Sequence, residues 1–188
     1  AERLIGQKGL KDHDQRYEQA EEFLELCYKF WEGSWENDAV QKDKQKRIFT
    51  DPEKVHQINH QGRFYQSQGV FQVSPSPQRT PVLFQAGASP RGLAFSTRHA
   101  ECVFIGGDQP AKIKQQVDKI RELAVQQGRN PEDIKIFVGI TVVTAETDEL
   151  AQEKLAEYAR YASPEAGLAH VSSSVGIDLC KYADDEAI

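Results

Sequence analysis

The stretch from Thr80 to Gly92, with Ser89 at its turn, has residue types suited to holding an anion. Ser89 follows a short apolar run, Pro81 to Phe84, and the turn containing Gly87, and it precedes Pro90. Serine is a strong helix N-cap and proline suits the first helical position, so this stretch predicts a strand, a glycine turn and a helix start. The free N–H groups at such a start make a place for a phosphate. Many α/β proteins use the same turn with nothing bound. His13 and Tyr17 stand four residues apart where a helix begins, so they share one face, or else form a solvated first turn. His56 and His60 could be imagined as a metal pair, but no third ligand stands in a suitable pattern, so they read as exposed hairpin histidines and no metal site is expected.

The elements that must position these groups follow from periodicity. From Glu18 to Gly33 the apolar residues Ala20, Phe23, Leu24, Cys27, Tyr28 and Trp31 recur at helical spacing, against an acidic face of Glu21, Glu22 and Glu25. Residues 34–78 are polar and rich in turn formers and read as a surface insertion, with a short hairpin turning at 59–62. Beyond it, three strands suited to burial on both faces are predicted at 81–86, 101–105 and 134–143. Helices are predicted at 92–99, 110–127, with Gly128 as its stop, and 148–162, where Leu150, Leu155, Tyr158 and Ala159 point inward. The tail is glycine- and serine-rich before a last helical turn. Alternation of strand and helix is the signature of a parallel sheet.

The chain has 188 residues, 39% of them hydrophobic, a formal net charge of −6 and no methionine. That is enough for one domain with a core, and the acidic balance argues against a general nucleic-acid binder. No apolar run is long enough to cross a bilayer, so no membrane partner is expected. Cys27, Cys102 and Cys180 are far apart and read as reduced core residues of a cytoplasmic protein. Three strands do not close a barrel, which needs eight, so the chain reads as a portion of something longer.

HDQRY at 13–17, FWEGSW at 30–35, DPEKVH at 51–56, SPSPQRTPVLFQAGASPRG at 74–92 and RHAECVF at 98–104 occur in one order. In this combination the chain closely resembles the nitrilotriacetate monooxygenase component A and dibenzothiophene-sulfone monooxygenase group of the bacterial-luciferase-like flavin monooxygenases. The resemblance covers essentially the whole chain. It implies an α/β fold, the central to late portion of a TIM-type (β/α)8 barrel, with 1–188 a single incomplete domain, 34–78 its lid-like insertion, and the early and closing strands absent. It further implies reduced FMN as cofactor, a separate flavin reductase that supplies it, dioxygen and a small organic substrate, and a homodimer or higher homo-oligomer.

By the same resemblance His13, Tyr17 and Ser89 contact FMN. The backbone N–H groups of Gly87 and Ala88 are further phosphate donors on the helix-start geometry, and Arg91, one step on, assists. No catalytic side chain is singled out, since in this class the cofactor carries the oxygen chemistry and the protein supplies orientation and dryness. Phe104, at the C-terminal end of a barrel strand, stands where substrate pockets form, or else packs in the core. His170, in a segment resembling the family's mobile region before the last strand, faces substrate or is an exposed loop histidine. Two other readings are a catalytically silent remnant serving as a structural or partner-binding piece, and a deazaflavin-dependent oxidoreductase on the same barrel.

Overall fold

The computed structural model describes residues 11–107, 109–175 and 178–182. They fall into two compact units, one up to Gly139 and one from Ile140 on.

The first unit opens with α1, His13–Tyr28, which continues into a π-helical turn, Lys29–Gly33. Two antiparallel hairpins follow: β1, Val40–Asp43, with β2, Ile48–Thr50, and β3, Ile58–Gln61, with β4, Gln66–Gly69. The remainder is a βαβαβ stretch: β5, Phe84–Ala86; α2, Pro90–His99; β6, Cys102–Ile105; α3, Pro110–Gln126; and β7, Lys135–Val138. The three strands form one parallel sheet in the order β5-β6-β7, so their C-terminal ends share one edge. The predicted alternation is therefore present.

The sheet's helix side makes the core. Val103 and Ile105 from β6 pack with Ile120 and Ala124 of α3 and with Ile134, and Val103, Ile120, Ala124 and Ile134 are fully shielded from solvent. At the α3 stop, Gly128 has φ +72°, where a side chain would be strained, and Arg129 returns its N–H to the carbonyl of Ala124 at 2.9 Å. The Arg129 guanidinium also donates to the carbonyls of Thr97 and Ala100, capping the negative end of α2.

Several expectations are corrected. The strands are covered on one face only: Phe84, Phe104 and Phe137 on the other face are 55%, 46% and 42% exposed. Phe104 stands on this more exposed face, in contact with Phe84 and Phe137. The last strand ends at Val138 rather than 143, and Ile140 and Val142 are exposed, having no strand to pair with among the described residues. The second hairpin turns at 62–65, not 59–62, because the Glu22 carboxylate gathers the N–H groups of Phe64 and Tyr65.

His60, expected at the surface, is 3% exposed; Lys29 bonds its Nδ1 at 3.0 Å and Glu22 its Nε2 at 3.3 Å. His56 is half-exposed beside Glu36, and no metal cluster exists among the described residues. Of the cysteines only Cys102 is buried; Cys27 is half-buried and Cys180 exposed, all three free.

The second unit holds α4, Asp148–Tyr161, and α5, Pro164–Val175, followed by a 3-10 turn, Leu179–Lys181. Thr147 caps α4 by accepting from the N–H of Leu150. Leu150, Leu155 and Tyr158, expected to point inward, are about half exposed. The glycine- and serine-rich tail is helical through Val175, and Ser163 caps it, accepting the N–H of Ala166 at 3.1 Å.

Candidate functional site

Ser89 has extended backbone angles, φ −67° and ψ 153°, and its hydroxyl accepts the N–H of Gly92 at 3.0 Å, with Pro90 opening the helix. This is the N-cap expected from the residue types. It points the α2 N-terminus, and the partial positive charge of its dipole, at the edge where β5 ends.

Helix α1 supplies the facing wall. His13 and Tyr17 lie on one face with ring centres 5.2 Å apart, and Tyr17 packs against Phe95 of α2 at 5.5 Å. His13 Nε2 is 3.2 Å from Ser89 Oγ, across 76 residues of sequence. His13 Nδ1 in turn is 2.8 Å from Asp14 Oδ1. The three side chains named from the sequence are thus brought together, and Asp14 joins them.

Two glycines make room for the phenol. A Cβ on Gly92 would stand 2.6 Å from Tyr17 Oη and 3.1 Å from Ser89 Oγ, and one on Gly87 would stand 3.0 Å from Tyr17 Oη. Gly87 is therefore required by close approach and not by a left-handed backbone, which among the described glycines belongs to Gly69, Gly107 and Gly128. The result is a cradle with a phenol, an alcohol, an imidazole and a helix N-terminus around one point. Such a donor set fits a phosphate monoester.

The adjoining cleft of about 270 Å³ is lined by His13, Arg16, Tyr17, Ala20, Gln85 and Phe95. Cofactor sites usually run to roughly 300–1,000 Å³, so this cleft suits one end of a ligand rather than a whole dinucleotide-sized molecule. Arg91 lies 5.9 Å from the Tyr17 ring centre and 3.6 Å from Glu21 Oε1. The same carboxylate meets Arg98 at 3.3 Å and His99 Nε2 at 2.7 Å. His99 Nδ1 is 3.1 Å from the hydroxyl of Tyr28, whose phenol burial pushes up, with the Glu101 charge adding.

Glu21 and Glu22 were legible only as an acidic face. They instead anchor α1, Glu21 to both ends of α2 and Glu22 to the second hairpin. Burial pushes the Glu22 carboxyl up, but the N–H groups of Phe64 and Tyr65 and the His60 ring outweigh it and hold the carboxyl below the usual carboxylate range. Arg79 was likewise missed. Held at φ +62°, it donates to the carbonyls of Trp31 and Trp35 and to Asn37 Oδ1, closing the end of the π turn.

Phe104 pairs with Ala86 across the sheet, near the same edge as the Gly87–Ser89 turn, and stacks with Phe84 and Phe137 at 5.8 and 5.3 Å. His170 belongs to the second unit, exposed on α5, and is not among the residues assembled here.

A parallel sheet whose strand ends face a helix-start phosphate cradle is an arrangement shared by α/β folds, the (β/α) barrel among them. The luciferase-like monooxygenase family model matches residues 1–186, and the chain belongs to that family. It is 48% identical to long-chain alkane monooxygenase of Geobacillus thermodenitrificans (strain NG80-2) over 188 residues, covering 100% of this chain and 43% of that protein. A crystal structure of long-chain alkane monooxygenase superposes with a TM-score of 0.92 over the whole chain.

A structure of riboflavin lyase with modified FMN and substrate riboflavin superposes with a TM-score of 0.86 at 44% identity, covering 93% of this chain and 39% of that one. Nitrilotriacetate monooxygenase component A of Aminobacter aminovorans is 34% identical over 96% of this chain and 40% of its own length. The resemblance drawn from the motifs is therefore correct. The fold is a portion of a luciferase-like TIM-type barrel, and the chain spans less than half the length of these relatives. No helix among the described residues is long and apolar enough to cross a membrane.

Proposed function

We propose that this chain carries the FMN-phosphate end of the site in a flavin-dependent monooxygenase, which uses reduced FMN and dioxygen to oxygenate a small organic substrate. The observation that carries the reading is the convergence of His13, Tyr17 and Ser89 on the α2 N-terminus. In this reading the Ser89 hydroxyl, the Tyr17 phenol, the His13 ring and the N–H groups of Gly87 and Ala88 hold the phosphate, with Arg91 adding charge. When bound, reduced FMN supplies the oxygen-activating chemistry. The protein orients it: Phe95 fixes the Tyr17 ring, and the Glu21 contacts hold α1 to α2 so that His13 meets Ser89. Phe104, with Phe84 and Phe137, gives an apolar wall suited to a small organic substrate.

A separate flavin reductase is the expected partner, in keeping with a relative named as a component A. Free thiols suit the reducing cytoplasm. The test is anaerobic titration with reduced FMN of the full gene product containing these residues, followed by oxygen uptake with a reductase present. Binding with oxygen consumption is expected. A full-length product that neither binds reduced FMN nor consumes oxygen overturns the reading, and binding by the longer form alone assigns the rest of the flavin site to residues outside this chain.

A further inference from the structure

We propose that Arg16 is the principal cation for the bound phosphate, and so the residue that makes this site prefer a phosphorylated flavin to the bare one. The inference rests on the FMN-phosphate reading above and names the charge which that reading needs.

A phosphate monoester is close to a dianion at neutral pH. The Tyr17 and Ser89 hydroxyls and the helix-start N–H groups give it hydrogen bonds but no full positive charge. Asp14, 2.8 Å from His13 Nδ1, adds a negative charge at the rim. A guanidinium meets this demand best, because its planar fork matches two phosphate oxygens at once.

Two arginines stand by the cradle, and they differ in what they already hold. Arg91, 5.9 Å from the Tyr17 ring centre, is engaged: its Nη1 lies 3.6 Å from Glu21 Oε1, and that carboxylate ties α1 to α2. Drawing Arg91 onto a ligand gives that pair up. The Arg16 guanidinium has no hydrogen bond or ion pair among the described residues; only its backbone N–H is engaged, by the carbonyl of Asp12 at 3.1 Å. Drawing Arg16 onto a ligand breaks nothing.

A free arginine is common at a surface, and what singles out Arg16 is its place. His13, Arg16, Tyr17 and Ala20 stand at i, i+3, i+4 and i+7 on α1 and form one stripe. His13 meets Ser89 and Tyr17 packs on Phe95, so the stripe faces α2, and Arg16 lines the same cleft as both. Among the described residues no carboxylate lines that cleft, and the Gln85 amide donates to the carbonyl of Ala86 at 3.1 Å. Nothing in the lining therefore competes with an anion for the Arg16 guanidinium. In open water such a pair is worth little, but a ligand seated against Tyr17 and Phe95 excludes water from it and strengthens the attraction.

The test is anaerobic titration of the full-length product with reduced FMN and with reduced riboflavin, at low and at physiological salt, for the unaltered protein, Arg16→Gln, Arg16→Lys and Arg91→Gln. Arg16→Gln removes no side-chain bond within the chain. It should weaken FMN roughly 10- to 100-fold while leaving riboflavin unchanged, and flatten the loss of FMN affinity with added salt. Arg16→Lys, which keeps the charge without the fork, should recover part of the loss, and Arg91→Gln should weaken FMN less than Arg16→Gln does.

Unchanged FMN affinity in Arg16→Gln overturns the inference, as does a larger loss in Arg91→Gln. Equal losses for FMN and riboflavin show a role in the shape of the cleft and overturn it too, and a lysine no better than glutamine overturns the charge pairing. In each of these cases, tighter binding of FMN than riboflavin by the unaltered protein leaves the phosphate site standing. FMN binding no tighter than riboflavin there overturns the phosphate reading and the inference together.

Discussion

Ser89 has two jobs that a single substitution separates. Its oxygen caps α2, and its hydroxyl stands 3.2 Å from His13 Nε2 at the cradle. Ser89→Ala is expected to lower stability by about 1 kcal/mol through the lost cap. It should weaken FMN by about 1.5–3 kcal/mol, the worth of a hydrogen bond to a charged group, measured by titration of the full-length product. Gly92→Ala acts differently. Alanine favours a helix by roughly 1 kcal/mol over glycine, but a Cβ would stand 2.6 Å from Tyr17 Oη, whose ring is packed against Phe95 and has to shift. The crowding, worth about 1–3 kcal/mol, should outweigh or cancel the helix gain, and FMN affinity is expected to fall because the phenol is pushed out of the cradle. An unchanged affinity would remove Tyr17 from the phosphate contacts.

At the scale of elements, the second hairpin is fastened to α1 largely through Glu22. Its carboxyl is held below the ordinary range, so the stabilisation is complete above the usual carboxylate pKa and is lost as pH falls through the lower folded value. Hydrogen exchange of the Phe64 and Tyr65 amides should accelerate, relative to the α3 core, as the solution is acidified through that window. Glu22→Gln should abolish the acid-dependent part of the difference. The end of the π turn depends on Arg79 in a comparable way. Arg79→Ala is expected to cost about 1.5–3 kcal/mol, seen as a lower denaturation midpoint, since it uncovers the carbonyls of Trp31 and Trp35.

These cases also mark what could be read from residues alone. The Ser89–Pro90 start and the Gly128 stop are local chemistry, complete within a few residues, and both were legible. Burial of His60 was not, because it depends on Glu22 and Lys29, 38 and 31 residues away, and an acidic helix face looks the same whether it is wet or anchoring. The end of β7 was misread because Ile140 to Val143 has strand-forming residues but no described neighbour to pair with. The meeting of His13 with Ser89 followed from the motif resemblance and not from periodicity, which says nothing about contacts 76 residues apart.

For the molecule as a whole, the parallel sheet has two unlike faces, and truncation should report the difference. Ile120→Ala, on the fully buried side, is expected to cost about 2–5 kcal/mol. Phe104→Ala, 46% exposed, should cost clearly less than the roughly 3–5 kcal/mol of a buried phenylalanine. Equal losses in chemical denaturation would show that the aromatic face is covered in solution.

The exposed ladder of Phe84, Phe104 and Phe137 has a further consequence for anyone judging whether this chain is folded. Dyes such as ANS become fluorescent on exposed apolar surface, and that signal is commonly taken to mark a molten globule. Here the surface is part of the ordered sheet, while Trp35 is fixed by a 2.8 Å bond to the carbonyl of Phe71 and the opposite face is close-packed. Wherever this face is left uncovered, the two usual diagnostics should therefore disagree, with strong dye fluorescence accompanying an intact near-ultraviolet circular dichroism spectrum.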